Sequence, residues 1–441
     1  MQKSAWFLAL VALLATSCSS TDTTDTKTED KPESRRVQVD GRSAQYAGAA
    51  LSYFPDEVTL HAGDSVDFKQ VFSGEPHSVT FGKLVDEAIP AAKKLGEQRP
   101  EGELKAKLEA LPSMLPEGPG DANQIAVNPC FIESGALPAD ETKPCPKVDQ
   151  PEFQGTETYY SSGYLAPDAG DFKVKLADNI KGGDYSYYCN LHGPQMSGTI
   201  KVVDKDTAIP SAAEVAAEGK EQLAAAFAPT DKAYQAASAG QAPFPLLAGF
   251  GSEESESTGI NAFIPGTAKA KVGQKVTWTF FGFHTISFNP PPEAVLAVVK
   301  APDGTFHANE KMSTPVGGPG MPEPPAAGES SASPPASSSA GASAKPSATA
   351  SANPSASSPS SASPTAPGSG EASPSVGAGG ALPEPTEVDA GKYTGDGFRS
   401  SGLFFSFPPD LVSYSMTFTK AGTYSYVCLI HPEMIGTVEV A

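Results

Sequence analysis

Two short stretches of the chain each bring a cysteine, a histidine and a methionine close together: Cys189, His192 and Met196, and then Cys428, His431 and Met434. Each stretch also has a lone histidine far upstream, His77 and His284. A thiolate, two imidazoles and a thioether form a soft donor set that selects copper, with three strong ligands in a plane and the thioether as a weak axial one. That geometry is tolerated by both Cu(I) and Cu(II), so an electron can move with little reorganisation. A Cys-x-x-His pair alone is a weak signal, and each cysteine or methionine read singly fits a buried thiol or core filler equally well. The complete second copy argues against coincidence.

The ligands need strands to bring them together, and the sequence repeats those strands as well. Tyr53-Phe54-Pro55 through Val58, Leu60, Val66 and Phe68 to His77-Ser78-Val79-Thr80-Phe81 matches Phe263-Ile264-Pro265 through Ala268, Val276 and Trp278 to His284-Thr285-Ile286-Ser287-Phe288. Alternating apolar residues about Gly63-Asp64 and Gly273-Gln274 predict strands joined at turns. Later, Gly183-Asp184-Tyr185-Ser186-Tyr187-Tyr188-Cys189 matches Gly422-Thr423-Tyr424-Ser425-Tyr426-Val427-Cys428, and each copy ends on a short strand after Gly198 or Gly436. Each repeat is thus an all-β unit with the thiolate at the end of one strand, His and Met in the loop after it, and the upstream His arriving from another strand.

On these residues each repeat resembles a cupredoxin of the plastocyanin and azurin family, over about 37–204 and 244–441 less the insertions. The resemblance implies a Greek-key β-sandwich with one type 1 copper held by His77, Cys189, His192 and Met196, and a second held by His284, Cys428, His431 and Met434. Cys428 to Met434 has the short ligand loop of amicyanin-like members, and Cys189 to Met196 is one residue longer. Where the family often has Asn after the upstream histidine, this chain has Ser78 and Thr285, whose hydroxyls would have to hold the ligand loop.

The 441 residues include 42 Gly and 42 Pro, so much of the length is loop or linker. The expected domains are 37–205, with an insertion at about 82–156, and 244–441, with an insertion at about 289–397, joined by a helical linker over 206–243. The first insertion carries helical patterns at Leu84–Leu95 and Glu103–Leu111. The second carries a short helix near Pro292–Val299 and a Ser, Pro, Ala and Gly tract over 326–381 that cannot bury a core and is expected to be disordered. In the linker, Pro210-Ser211 starts a helix running from Ala212 to Phe227.

Lys3, the apolar run Ala5–Ala15 and Leu14-Ala15-Thr16-Ser17-Cys18 fit an export signal over 1–17 whose end resembles a bacterial lipobox. Cys18 would then be lipidated, anchoring the chain at the bacterial cell envelope, facing the extracytoplasmic side, by a polar tether over 18–36. With Cys18 set aside, Cys130 and Cys145 remain outside the ligand sets. In an oxidising compartment they are expected to pair, for about 3 kcal/mol. A formal net charge of −20 argues against nucleic acid as a partner and favours a basic one; the partners that the resemblance implies are redox proteins, with the membrane reached through the anchor.

Two such domains in one chain also raise a copper oxidase or nitrite reductase, which requires a second copper built from further histidines, one beside the ligand cysteine. Tyr188, Asn190, Val427 and Leu429 stand there instead, and only His61 and His307 remain unassigned. The reading is therefore a non-enzymatic electron carrier with two copper ions, with copper sequestration or delivery as the alternative.

Overall fold

The computed structural model describes residues 34–114 apart from 97, 151–318 apart from 166, 168, 169, 252–254, 256 and 301–305, and 382–441. The expected leader over 1–17, Cys18, the Cys130 to Cys145 pairing and the 326–381 tract lie outside the described residues.

In the first half the strands are β1 (Ser34–Val39), β2 (Gly48–Ala50), β3 (Tyr53–Phe54), β4 (Glu57–His61), β5 (Ser65–Gln70), β6 (Thr80–Phe81), β7 (Tyr160–Ser161), β8 (Phe172–Lys175), β9 (Gly183–Cys189) and β10 (Gly193–Val203). They form a four-stranded sheet, β3-β1-β5-β8, and a five-stranded sheet, β4-β10-β9-β6-β7. The period-two burial of β1 and β4 gives each sheet one apolar face. The two faces interlock through aromatic rings: Tyr187 on β9 lies 4.9 Å from Tyr53 and 5.0 Å from Phe68 on the facing sheet.

The second half repeats the plan with β11 (Leu247–Gly251), β12 (Thr258–Ile264), β13 (Thr267–Ala270), β14 (Lys275–Phe280), β15 (Gly282–His284), β16 (Ser287–Phe288), β17 (Val298–Lys300), β18 (Phe306–Ala308), β19 (Thr386–Tyr393), β20 (Arg399–Ser400), β21 (Phe404–Ser406), β22 (Val412–Phe418), β23 (Gly422–Val427) and β24 (Ile435–Val440). Its sheets run β19-β22-β14-β11-β12-β2 and β13-β24-β23-β16-β20, around a core that includes Trp278, Tyr414, Met416, Phe418 and Tyr426. The sixth strand of the first sheet is β2, contributed by the first half: Thr258 pairs with Ala50, and Ile260 with Gly48. The halves therefore share a continuous sheet.

A helix fills the seam beside that shared sheet. Ser211 caps it by accepting from the Glu214 backbone N–H, while the Glu214 carboxylate accepts from the Ser211 N–H, and the helix continues from Ala212 to Ala236. It runs on past the expected end at Phe227, through Pro229, because its next turns still find apolar partners. Phe227 is buried with Tyr46, Phe54, Leu247 and Ile260, residues drawn from both halves.

The first insertion contributes α1 (Lys83–Leu95) and α2 (Gly102–Glu109), close to their expected positions. In α1, Val85, Ala88, Ile89 and Ala92 form the buried stripe, and Val85 and Ile89 pack on Tyr188, next to the ligand cysteine. The helix expected over Pro292–Val299 shrinks to one tight turn, Pro292–Ala294, because the β-branched pair Val298-Val299 goes into β17 instead. His307, one of the two histidines outside the ligand sets, lies in β18 opposite Val299.

Asp86 fastens α1 to the cysteine-bearing strand, its Oδ1 accepting from the Ser186 N–H at 2.7 Å. Burial pushes its carboxyl up to about 6, with the Ser186 N–H pulling the other way. A folded-state value above the ordinary one means that ionising Asp86 costs stability: its contribution is intact in acid and is lost as pH rises through about 6. Asp86→Asn, which keeps an acceptor oxygen, should therefore raise thermal stability at pH 7.5 and not at pH 4, by an amount on the order of 1 kcal/mol after solvent screening. Melting curves of both proteins across that range check this; an equal shift at both ends would contradict it.

Candidate metal centres

Both ligand clusters sit at the same end of their sandwiches, where a strand delivers a cysteine and a turn folds back over it. Cys189 is the last residue of β9, His192 lies in the turn that follows, and Met196 occupies the register shift of β10 between Gly193 and Ser197. His77 comes from the loop between β5 and β6. In the second cluster Cys428 follows β23, and its loop is closed by Cys428 N–H donating to Met434 O at 3.0 Å and Met434 N–H to His431 O at 2.8 Å. His284 ends β15.

The ligand atoms converge. His77, Cys189 and His192 form one group and His284, Cys428 and His431 the other, each with its donor atoms within 4.8 Å of one another. Cys189 Sγ lies 3.5 Å from His192 Nδ1, and Cys428 Sγ lies 3.5 Å from His431 Nδ1 and 3.9 Å from His284 Nδ1. The Nδ1 atoms of His431 and His284 face each other at 3.2 Å. His77 Nδ1 is buried with no hydrogen-bond partner, a cost that a cation between the ligands would remove. Met196 and Met434 are buried in the two cores beside these groups. The residues present fit a copper ion in each group.

Burial opposes ionisation of both thiols, yet the facing imidazoles outweigh it and hold Cys189 and Cys428 well below the ordinary thiol range. The thiolate is the metal ligand, so the sites are electrostatically ready for a cation. Two backbone amides support each thiolate from behind. Ser78 N–H points at Cys189 Sγ and Thr285 N–H at Cys428 Sγ, each at 3.4 Å. The hydroxyls of the same residues hold each ligand loop: Ser78 Oγ accepts from Asn190 N–H at 2.9 Å, and Thr285 Oγ1 from Leu429 N–H at 2.8 Å. The insertions close over the same residues, with Met114 N–H donating to Asn190 O and Leu296 N–H to Leu429 O.

The outer ring nitrogens set the two centres apart, and sequence reading had not singled out the residues behind them. Val71 N–H bonds Val39 O just as Phe281 N–H bonds Ala248 O, which makes Asp40 and Gly249 equivalent; both have a left-handed backbone, φ 67° and 78°. Asp40 is fully buried, with one carboxylate oxygen 3.2 Å from His77 Nε2 and the other accepting from Gly41 and Ala50 N–H. Burial disfavours the charged His77 ring, but Asp40 more than compensates and carries it up to about 10. At Gly249 the missing side chain leaves room for His284 itself, whose ring is pushed downward, first by burial and then by the neighbouring His431 charge.

The third such residue is Glu75, also buried. It accepts from His431 Nε2 at 2.9 Å, and its other oxygen lies 3.9 Å from His192 Nε2. Burial would raise its carboxyl, but these two imidazoles hold it well below the usual range. The signal for it was a difference in loop length: His77 comes six positions after Val71, and His284 three positions after Phe281. His61 takes no part, since its Nε2 bonds Thr207 O at 2.9 Å. Because a Cβ at position 249 would overlap His284 Nε2 and Phe281 O, Gly249→Ala should remove the second centre and spare the first, at about 1–3 kcal/mol of backbone strain. Copper titration should then fall from two equivalents to one; two retained equivalents would contradict the assignment.

No protein-family model matches the chain, and no curated protein does. Among solved structures it overlaps a reduced auracyanin from Roseiflexus castenholzii, at 20% identity and a TM-score of 0.20, over 39% of this chain and 97% of that one. A plastocyanin from Dryopteris crassirhizoma overlaps at 19% identity and 0.18, over 38% and 99% respectively. A copper-containing nitrite reductase from Thermus scotoductus SA-01 spans 92% of this chain and 68% of its own, at 10% identity and 0.19. With paired sheets, a cysteine at a strand end and a histidine-bearing turn beyond it, the chain has a cupredoxin fold whose His–Cys–His groups fit a type 1 copper site.

Proposed function

We propose that this protein is an electron carrier that binds two copper ions, one held by His77, Cys189, His192 and Met196 and the other by His284, Cys428, His431 and Met434. The observation that carries this reading is the convergence of two imidazole nitrogens and one cysteine sulfur in each of two buried groups, where the imidazoles favour the thiolate. Bound copper would supply a one-electron couple. The chain itself holds the donor atoms still, through the amide behind each thiolate and the hydroxyl across each ligand loop, so that either oxidation state meets the same frame. Catalysis is not part of the proposal. Tyr188, Asn190, Val427 and Leu429 flank the cysteines, and none offers the imidazole that a substrate-binding copper would require.

The two centres are predicted to differ in potential. Asp40 places a buried negative charge against His77, whereas Gly249 places none against His284, and an anion stabilises the more positive oxidation state. Each tenfold change in relative affinity for the two states moves a one-electron potential by about 60 mV. Two equivalents of copper should bind and give an intense visible thiolate-to-copper band. Cys189→Ser and Cys428→Ser should each lose one centre, and the centre left in Cys428→Ser should have the lower potential. If both variants keep two visible centres the ligand assignment fails, and if neither centre cycles reversibly the protein handles copper without carrying electrons.

We also propose that the protein is exported and lipid-anchored through Cys18, serving redox partner proteins on the extracytoplasmic side of the cell envelope. Its support is the apolar run ending in Leu14-Ala15-Thr16-Ser17-Cys18, and among the described residues no helix is long and apolar enough to cross a membrane. Expressed in a bacterial host, the protein should partition into detergent, and Cys18→Ala should move it to the aqueous phase. Aqueous partitioning of the unaltered protein would overturn the anchor.

A further inference from the structure

The loop Val71–Pro76, three residues longer than its counterpart in the second half, leaves the first sandwich and enters the ligand loop of the second. Gly74, at φ 115°, packs so closely on Ile430 that any Cβ there would overlap the Ile430 carbonyl oxygen, which explains glycine at this position. Arg42 clamps the junction, donating from Nε to Phe72 O at 3.1 Å and from its guanidinium to Glu433. Ser73 anchors the other side through its N–H to Asp40 Oδ2 at 3.1 Å. The effect is to hold Glu75 between one histidine of each centre.

Glu75 is 9% exposed, and the His431 side chain is 1% exposed. Both His192 and His431 turn Nδ1 toward their own cysteine, so Nε2 is the edge that meets Glu75. One carboxylate, with two oxygens and one negative charge, thereby serves two metal-ligating rings. A buried charge between two rings is weakly screened: a cation bound at His431 Nδ1 strengthens the hydrogen bond that ring's Nε2–H gives to Glu75, while His192, 3.9 Å away, meets the same carboxylate as a charge. The carboxylate then responds, and so does its other partner.

We propose that Glu75 is a positioning residue that couples the two metal centres, so that occupancy of one changes the copper affinity of the other. This rests on the two-copper reading above and goes beyond it, since that reading is equally compatible with independent centres. Coupling of this kind is reciprocal and expressed as one factor, typically about 5-fold or more in affinity. Either sign is compatible with a shared carboxylate.

The test uses the whole chain and copper(I) alone, with affinities measured by competition against a chelator. Cys428→Ser and Cys189→Ser give the affinity of each centre with its neighbour disabled. The overall binding constant of the unaltered protein, divided by the product of those two, is the coupling factor. It should differ from one by about fivefold or more. The same cycle is then run with Glu75→Gln, which keeps the size but not the charge, and with Glu75→Ala; both should bring the factor to within twofold of one. A purely structural role would change the individual affinities and leave the factor where it was. A factor of one in the unaltered protein, or one unchanged by both substitutions, overturns the inference. Failure to bind copper at either centre would show itself at the first titration, as a failure of the two-copper reading.

Discussion

Burying a thiolate and two imidazoles inside an apolar sandwich is costly, and this chain does it twice. The cost is tolerable only where every remaining valence of those groups is met by the protein or by a bound cation. Much of the architecture around the sites answers that constraint. Backbone amides of Ser78 and Thr285 face the sulfurs, the hydroxyls of the same residues hold the next residue of each ligand loop, and carboxylates stand behind three of the four histidines. The fourth, His284, is packed against bare backbone at Gly249.

The same constraint accounts for the way the halves are joined. Rings from facing sheets interlock within each half, so each sandwich is rigid enough to present its strand end in one position. Glu75 can reach His431 from the other half only if the two strand ends keep a fixed separation. The strand Gly48–Ala50, paired into the second half's sheet, and the helix Ala212–Ala236, packed on residues of both, give the junction that rigidity. A flexible linker would have left a buried carboxylate without its second partner.

Much of this was legible in the sequence because the ligands follow local rules. A Tyr-rich alternating strand ending in cysteine, a turn with histidine and a methionine a few residues on are contiguous features, and their duplication marked them as a set. Ser78 and Thr285 could likewise be assigned a loop-holding role from their place beside the upstream histidines. What escaped notice depends on long-range packing. Gly48-Ala49-Ala50 has no polar alternation and gives no sign of joining a distant sheet. Asp40 and Glu75 have the sequence context of ordinary acidic loop residues, and only their places in three dimensions show that they stand behind the histidines of the candidate sites. The helix extends beyond Phe227, through Pro229, because the apolar seam between the halves holds its last turns, which is again a matter of long-range packing.

The central claim is that each His–Cys–His group, completed by a methionine, holds one copper ion. The most direct measurement is a crystal structure of copper-loaded protein with anomalous scattering recorded at the copper edge. Two peaks are predicted, one bounded by His77, Cys189, His192 and Met196 and the other by His284, Cys428, His431 and Met434, with the Glu75 side chain lying between them. A single peak, or copper bound away from these side chains, would contradict the account.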